Sequence, residues 1–168
     1  MAETLNAIQL LTRDHREVEG LFEKFEKASD DGKKEEIAKA ICTELKVHTM
    51  LEEEIFYPAL RGKIDDDDID EAYVEHDGAK VLINDIEAGS PDDKFYDAKV
   101  KVLQEEVEHH IKEEESESNN IFKQARKTDV DFDALGEQMA ARKAELMEIA
   151  NTQGLPPAKP ATLTEVEV

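Results

Sequence analysis

The residues of this chain best able to do chemistry stand where a helical core would otherwise be apolar. One stretch reads Ile8, Leu11, His15, Val18, Phe22 and Phe25, spaced by threes and fours, so His15 falls midway along a buried face. A second reads Ile41, Leu45, His48, Glu52, Ile55 and Ala59, with a histidine and a carboxylate at consecutive core positions. A third reads Ile69, Ala72, His76, Ala79, Ile83 and Ile86, and a fourth Leu103, Val107, His110 and Glu114. Spacings of three and four stack side chains on one helix face, so each helix aims an imidazole inward and two add a carboxylate one turn on. An ionised carboxylate is costly to bury without a compensating charge. A divalent cation provides that charge, and neutral imidazoles supply the remaining donors. His15, His48, Glu52, His76, His110 and Glu114 are therefore the expected ligands of a buried metal centre.

Any one of these residues has a plainer reading, since a lone core histidine more often packs and hydrogen-bonds than ligates. The coincidence across four helices favours metal. His109 competes with His110, because Glu113 follows it by four residues as Glu114 follows His110. Helical phase separates them. His110 continues Leu103 and Val107, whereas His109 continues a face carrying Glu105 and Glu106 and is expected at the surface or behind the ligands.

Helix breakers bound the elements that must position these groups: Asp30-Asp31-Gly32, Gly62 before the acidic run 65–68, Gly89-Ser90-Pro91-Asp92-Asp93, and Gly154-Leu155-Pro156-Pro157. Ser90 followed by Pro91 and two acids predicts a helix start, and Asp67 or Asp68 predicts another. Leu135, Met139, Leu146 and Ile149 predict a further amphipathic helix over 132–150. The expected fold is all-α, an antiparallel four-helix bundle with an additional C-terminal helix. Residues 1–153 form that domain, and the proline-bearing segment 154–168 is expected to be a flexible tail.

The chain has 168 residues and a formal charge of -21, which suits one domain and opposes binding to nucleic acid or an anionic membrane. The N-terminus is acidic where a signal peptide would be basic, and no apolar run approaches spanning length, so the expected location is cytoplasmic, in soluble form. The single Cys42 reads as a small core residue; Tyr57 and Tyr73, which could tune the centre or carry an electron, read first as packing residues, and the acidic runs 65–68 and 113–117, which could attract iron, read first as solvated surface. The extra helix leaves a face for oligomerisation.

Asp14-His15, the run from His48 through Glu52 to Tyr57-Pro58, Glu75-His76, and the run from His109-His110 to Glu113-Glu114-Glu115 together resemble the hemerythrin-like, or HHE cation-binding, family over about residues 8 to 150. The resemblance implies two iron ions bridged by two carboxylates and by an oxo or hydroxo group. It differs from the oxygen carriers of the family in one ligand. Their third helix supplies two histidines four apart, whereas Lys80 follows His76 here. The fourth helix also runs into Ser116-Glu117-Ser118-Asn119-Asn120 instead of a short Phe-Pro ending, which predicts a break near 116–120. With Glu52 and Glu114 bridging, two histidines per ion leave both ions open. The function this implies is binding of, or reaction with, a small oxidant: dioxygen, hydrogen peroxide or nitric oxide. The other readings are an iron- or oxygen-responsive sensor or iron-handling module without turnover, and a metal-free helical interaction domain.

Overall fold

The computed structural model describes residues 3–164, and all regular structure among them is helical. Helix α1 spans Ala7–Lys27, α2 Asp31–Leu51, a π-helical turn Glu52–Phe56, α3 Tyr57–Leu60, α4 Asp66–Ala88, α5 Tyr96–Glu115, α6 Ile121–Ala125 and α7 Phe132–Thr152. The sequence dictates several starts through local hydrogen bonds. Asn6 and Gln9 form a reciprocal capping box at α1, and Asp30, Asp65 and Asp131 each accept a backbone N–H at the starts of α2, α4 and α7. The cap of α4 is thus Asp65, two to three residues before the expected start.

The other expected start, at Ser90, is corrected further. Residues 90–93 form a turn in which the Asp93 carboxylate accepts the Ser90 N–H and Asp93 N–H donates to Ser90 O, and α5 begins only at Tyr96. The aspartate is spent on closing the turn, so it is unavailable to a helix. The expected break after Glu114 is present: α5 ends at Glu115, and Asn120 caps the short α6.

Helices α1, α2, α4 and α5 form a ring in which each packs against two neighbours, and α7 lies across α1 and α2. Close approach at α7 depends on Gly136, where a Cβ would come within 2.5 Å of Leu5 O and 2.8 Å of Ala7 N. Two separate apolar clusters fill the bundle. One contains Leu11, Leu51, Phe56, Tyr57, Leu60, Ala72, Ile121, Phe122 and Met139; the other contains Val18, Phe22, Ile41, Leu45, Ala79, Ile83, Leu103 and Val107. His15, His48, His76 and His110 form a buried polar layer between them. All four expected stripes are buried as far as this layer.

Beyond the layer the second stripe shifts. Ile55 and Ala59 are only partly buried, while Phe56, Tyr57 and Leu60 face the core. The π-helical turn adds a residue to one turn, and Tyr57 N–H donates to Glu52 O five residues back. Pro58 explains the placement, because it lacks an N–H and its ring collides with the carbonyl four residues before it in a regular helix.

Where the sequence suggests a flexible tail, residues 158–163 are bonded to α4. Asn84 exchanges two hydrogen bonds with the Ala158 backbone, and Asp77 accepts from Ala161, Thr162 and Leu163. Prolines 156, 157 and 160 restrict the free chain, which lowers the entropy lost on docking. Residues 165–168 of the expected tail fall outside the described ones.

Cys42 packs in the second cluster with its Sγ facing Ile83 O. Burial, assisted by Glu87 and opposed by Lys46, pushes its thiol up to about 12. Folded protein held at pH 8 should therefore resist iodoacetamide, while protein unfolded in guanidinium should take up one label per chain, as read by mass spectrometry.

Candidate metal centre

All six residues singled out by spacing converge. The ring nitrogens pair: His15 Nε2 lies 3.2 Å from His48 Nε2, and His76 Nε2 lies 3.2 Å from His110 Nε2. Glu52 stands between the pairs, with Oε1 3.0 Å from His48 Nε2 and Oε2 2.9 Å from His76 Nε2. Glu114 Oε1 is 2.5 Å from His110 Nε2 and 3.9 Å from His15 Nε2. Both carboxylates are fully buried, at 0 % exposure. The donor atoms of His15, His48, Glu52 and Glu114 form one group that a cation could occupy, and those of Glu52, His76 and His110 form another.

These residues fit a metal on three grounds. Paired imidazole nitrogens pointing at each other have at most one hydrogen bond to share, whereas a cation accepts both as donors. Glu52 Oε1 and Glu114 Oε2 are buried without a hydrogen-bond partner. The mixed nitrogen and oxygen set suits iron, manganese or zinc.

Behind the layer stands a second ring. His15 Nδ1 faces Glu115 at 2.5 Å, His48 Nδ1 faces Asp14 at 3.5 Å, His76 Nδ1 faces Glu53 at 2.9 Å, and His110 Nδ1 faces Glu75 at 2.9 Å. Each of these carboxylates is the chain neighbour of one expected ligand but supports a histidine on the next helix around the bundle. Asp14 on α1 serves α2, Glu53 in the π-helical turn serves α4, Glu75 on α4 serves α5, and Glu115 on α5 serves α1. A carboxylate hydrogen-bonded to Nδ1 fixes the rings of His15, His76 and His110, while His48 Nδ1 stands within ion-pair reach of Asp14 without a hydrogen bond to it.

A third ring holds the carboxylates. Lys143 of α7 donates to Asp14, Lys80 to Glu53, and Arg16 to Glu115, while His109 lies 3.4 Å from Glu75. His109 is 60 % exposed and reaches Glu75 and Glu113, as phase predicted, and Lys80 stands among carboxylates in place of a ligand.

Electrostatics follow from burial. The low-dielectric core opposes charge on Glu52, but His48, His110 and His76 hold its carboxyl well below the usual range. Burial likewise pushes His48 toward neutrality, yet Glu52 and Asp14 outweigh it and carry the imidazole to about 10. Glu114, Glu52 and Glu75 raise His110 in the same way.

Sequence reasoning set Tyr57 near the ligand helices as a residue that could tune the centre, but favoured packing. The π-helical turn rotates it into the centre, where its Oη donates to Glu52 Oε2 at 3.0 Å and lies 3.4 Å from Glu114 Oε1 and 3.3 Å from His110 Nε2. The one signal available was Pro58, immediately after it. Phe122, brought back by the break after α5, stacks on His15 with ring centroids 6.0 Å apart.

On the opposite side of the histidines from Glu52 and Glu114 lies a cavity of about 40 Å³. Its walls are the four imidazoles together with Val18, Leu45, Ala79, Ile83 and Val107, and Glu44 and Glu106 also line it. That volume admits a molecule of two or three heavy atoms.

A helical bundle with a buried layer of histidines and carboxylates defines a cation-binding protein. The model of the hemerythrin HHE cation binding domain matches residues 6–119, more than half of the sequence, and the chain belongs to that family. A relative from Nostoc sp. (strain PCC 7120 / SAG 25.82 / UTEX 2576), named as a DNA nickase, is 31% identical over 114 residues, covering 68% of this chain and 32% of its own. The chain thus spans about a third of that relative's length. The crystal structure of a hemerythrin HHE cation binding domain-containing protein from Mycobacterium kansasii superposes with a TM-score of 0.73 at 23% identity, covering 90% of this chain and 95% of that one. This confirms the all-α fold. Among the described residues no helix is long and apolar enough to cross a membrane.

Tyr57→Phe preserves ring packing and removes one buried hydrogen bond to an ionised carboxylate. It should lower the stability of the metal-free protein by about 1.5–3 kcal/mol, measured by urea unfolding.

Proposed function

We infer that this chain holds two iron ions in the polar layer and brings them into reaction with a small oxidant: dioxygen, hydrogen peroxide or nitric oxide. The position of Glu52 carries the reading, because its two oxygens are divided between the two histidine pairs. His15 and His48 would hold one ion, His76 and His110 the other, with Glu52 and Glu114 shared. Two irons held by these residues, in the oxo- or hydroxo-bridged form that the family resemblance implies, would supply the electrons for reducing one small molecule.

The chain's own residues set the conditions. The apolar cavity excludes bulk water and limits the size of what reaches the histidines. Tyr57 holds a proton on Oη beside both carboxylates, since burial together with Glu114 and Glu52 pushes its phenol well above the usual range. Burial also raises the carboxyls of Glu44 and Glu106 on the cavity wall. With two histidines for each ion and Lys80 in place of another, both ions keep open positions, which favours turnover over simple carriage.

Protein purified under iron-replete conditions should carry two irons per chain and show oxo-bridged di-iron absorption after oxidation. His48→Ala and Glu114→Ala should each lose most of the iron, and His109→Ala little. Stopped-flow mixing of the reduced protein should reveal peroxide consumption; a stable, fully reversible dioxygen adduct with no peroxide turnover would overturn the reactive reading.

The raised imidazoles of His48 and His110 stand opposite Glu52 and Glu114, so in metal-free protein they supply the charge that a cation otherwise brings. This favours a reactive centre over a sensor that unfolds on iron loss. The sign follows from linkage: stability from His48 is complete below its unfolded value near 6.5 and is lost as pH rises through about 10. Metal-free protein should keep its helicity at pH 7 and lose several degrees of melting temperature between pH 7 and pH 10. Iron-loaded protein should not, because metal uptake displaces those protons.

A further inference from the structure

We propose that the segment 155–163 is a strap that belongs to the metal centre, acting through Lys80 and Glu53 on the orientation of His76. The path is continuous. Lys159 O accepts from Lys80 Nζ at 3.0 Å, Lys80 Nζ donates to both oxygens of Glu53 at 2.8 and 3.0 Å, and Glu53 Oε1 faces His76 Nδ1 at 2.9 Å. The segment is held firmly enough to do this. The buried Asp77 carboxylate accepts from the backbone N–H groups of Ala161, Thr162 and Leu163 and from Thr162 Oγ1, over 2.6–3.2 Å, and Asn84 pairs with both polar groups of the Ala158 backbone. Leu155, Pro156 and Pro157 line a cavity of about 240 Å³ together with Glu53, Thr49 and Met50.

Lys80 differs from the other cations that hold the second ring. The Arg16 and His109 side chains are more than half exposed, and exposed pairs contribute little, while Lys143 keeps 16 % exposure at its Asp14 pair. Lys80 is 3 % exposed, so its ammonium depends on fixed acceptors: Glu53, Asp77 and the strap carbonyl. Losing the carbonyl opens this ammonium to water and frees Glu53 to turn from His76. The effect is confined to one histidine pair, because His15 is supported from the other side of the bundle by Glu115.

The test uses the full chain carrying Asn84→Ala, Ala161→Pro and Thr162→Ala, which removes strap bonds without touching any expected ligand, and separately Lys80→Met. Circular dichroism checks that each is folded. In metal-free protein labelled with ¹⁵N-histidine, both variants should shift the His76 ring signals and leave those of His15 in place, and combining them should add nothing beyond Lys80→Met. In iron-loaded protein, where the inference rests on the di-iron reading, one of the two irons should pass to a chelator roughly 10-fold faster or more, the scale of loss for a ligand's outer support. Unchanged His76 signals in both variants, or equal shifts at His15 and His76, would overturn the strap. If the unaltered chain takes up no iron, the di-iron reading alone fails, and the His76 signals still decide the role of the strap.

Discussion

The burial of two carboxylates in an apolar core governs the rest of this structure. Glu52 and Glu114 have no exposure, and an isolated ionised carboxyl in such surroundings is untenable. The bundle answers in concentric rings. Four imidazoles face the carboxylates, four further carboxylates face the imidazoles from behind, and Lys143, Lys80, His109 and Arg16 face those. Each ring meets the one inside it with hydrogen-bonding or ion-pairing partners, so the buried carboxylates are supported step by step toward the surface. Because each supporting carboxylate lies on the helix next to its histidine, the ring also fixes the order of α1, α2, α4 and α5. Helix packing and site chemistry are one constraint.

Much of this was legible in the sequence, for a physical reason. A buried polar layer must interrupt apolar stripes at helical spacing, and His15, His48, His76 and His110 do so within regular helix, where phase carries forward reliably. The same phase separated His110 from His109. Phase failed where the backbone left the regular period. The π-helical turn at Glu52–Phe56 moved Ile55 and Ala59 outward and Tyr57 inward, and only a residue-by-residue account of what Pro58 forbids would have exposed it. Ser90 misled for a related reason, since the hydrogen bonds that cap a helix also close a turn.

The second ring was visible as letters and invisible as geometry. Asp14, Glu53, Glu75 and Glu115 each adjoin an expected ligand, and the family resemblance includes them, yet adjacency in a helix turns a neighbour about 100° away. A residue turned so far from its own ligand cannot serve it. It can reach the histidine of the neighbouring helix only when four helices close into a ring, and that closure is a tertiary fact. The strap was hidden in the same way. Three prolines in a short stretch read as a segment without helical structure, which is correct, but lack of helix is not lack of order once Asp77 and Asn84 offer acceptors and donors at matching spacing.

The two faces of the histidine layer are unequal. On one face lie Glu52, Glu114 and Tyr57, backed by Phe56 packed edge to face on Phe122, with Phe122 stacked on His15. That side is filled, in part by residues that return only because α5 breaks at 116–120. On the other face the four imidazoles border a cavity walled by Val18, Leu45, Ala79, Ile83 and Val107, none of which can hydrogen-bond through its side chain. Glu44 and Glu106 also border it, so the cavity joins apolar walls to the histidine layer and two carboxyls. The face of Glu52, Glu114 and Tyr57 concentrates the buried charge, while the other face holds the open volume. The bundle keeps them apart by placing one face in each of its two core clusters.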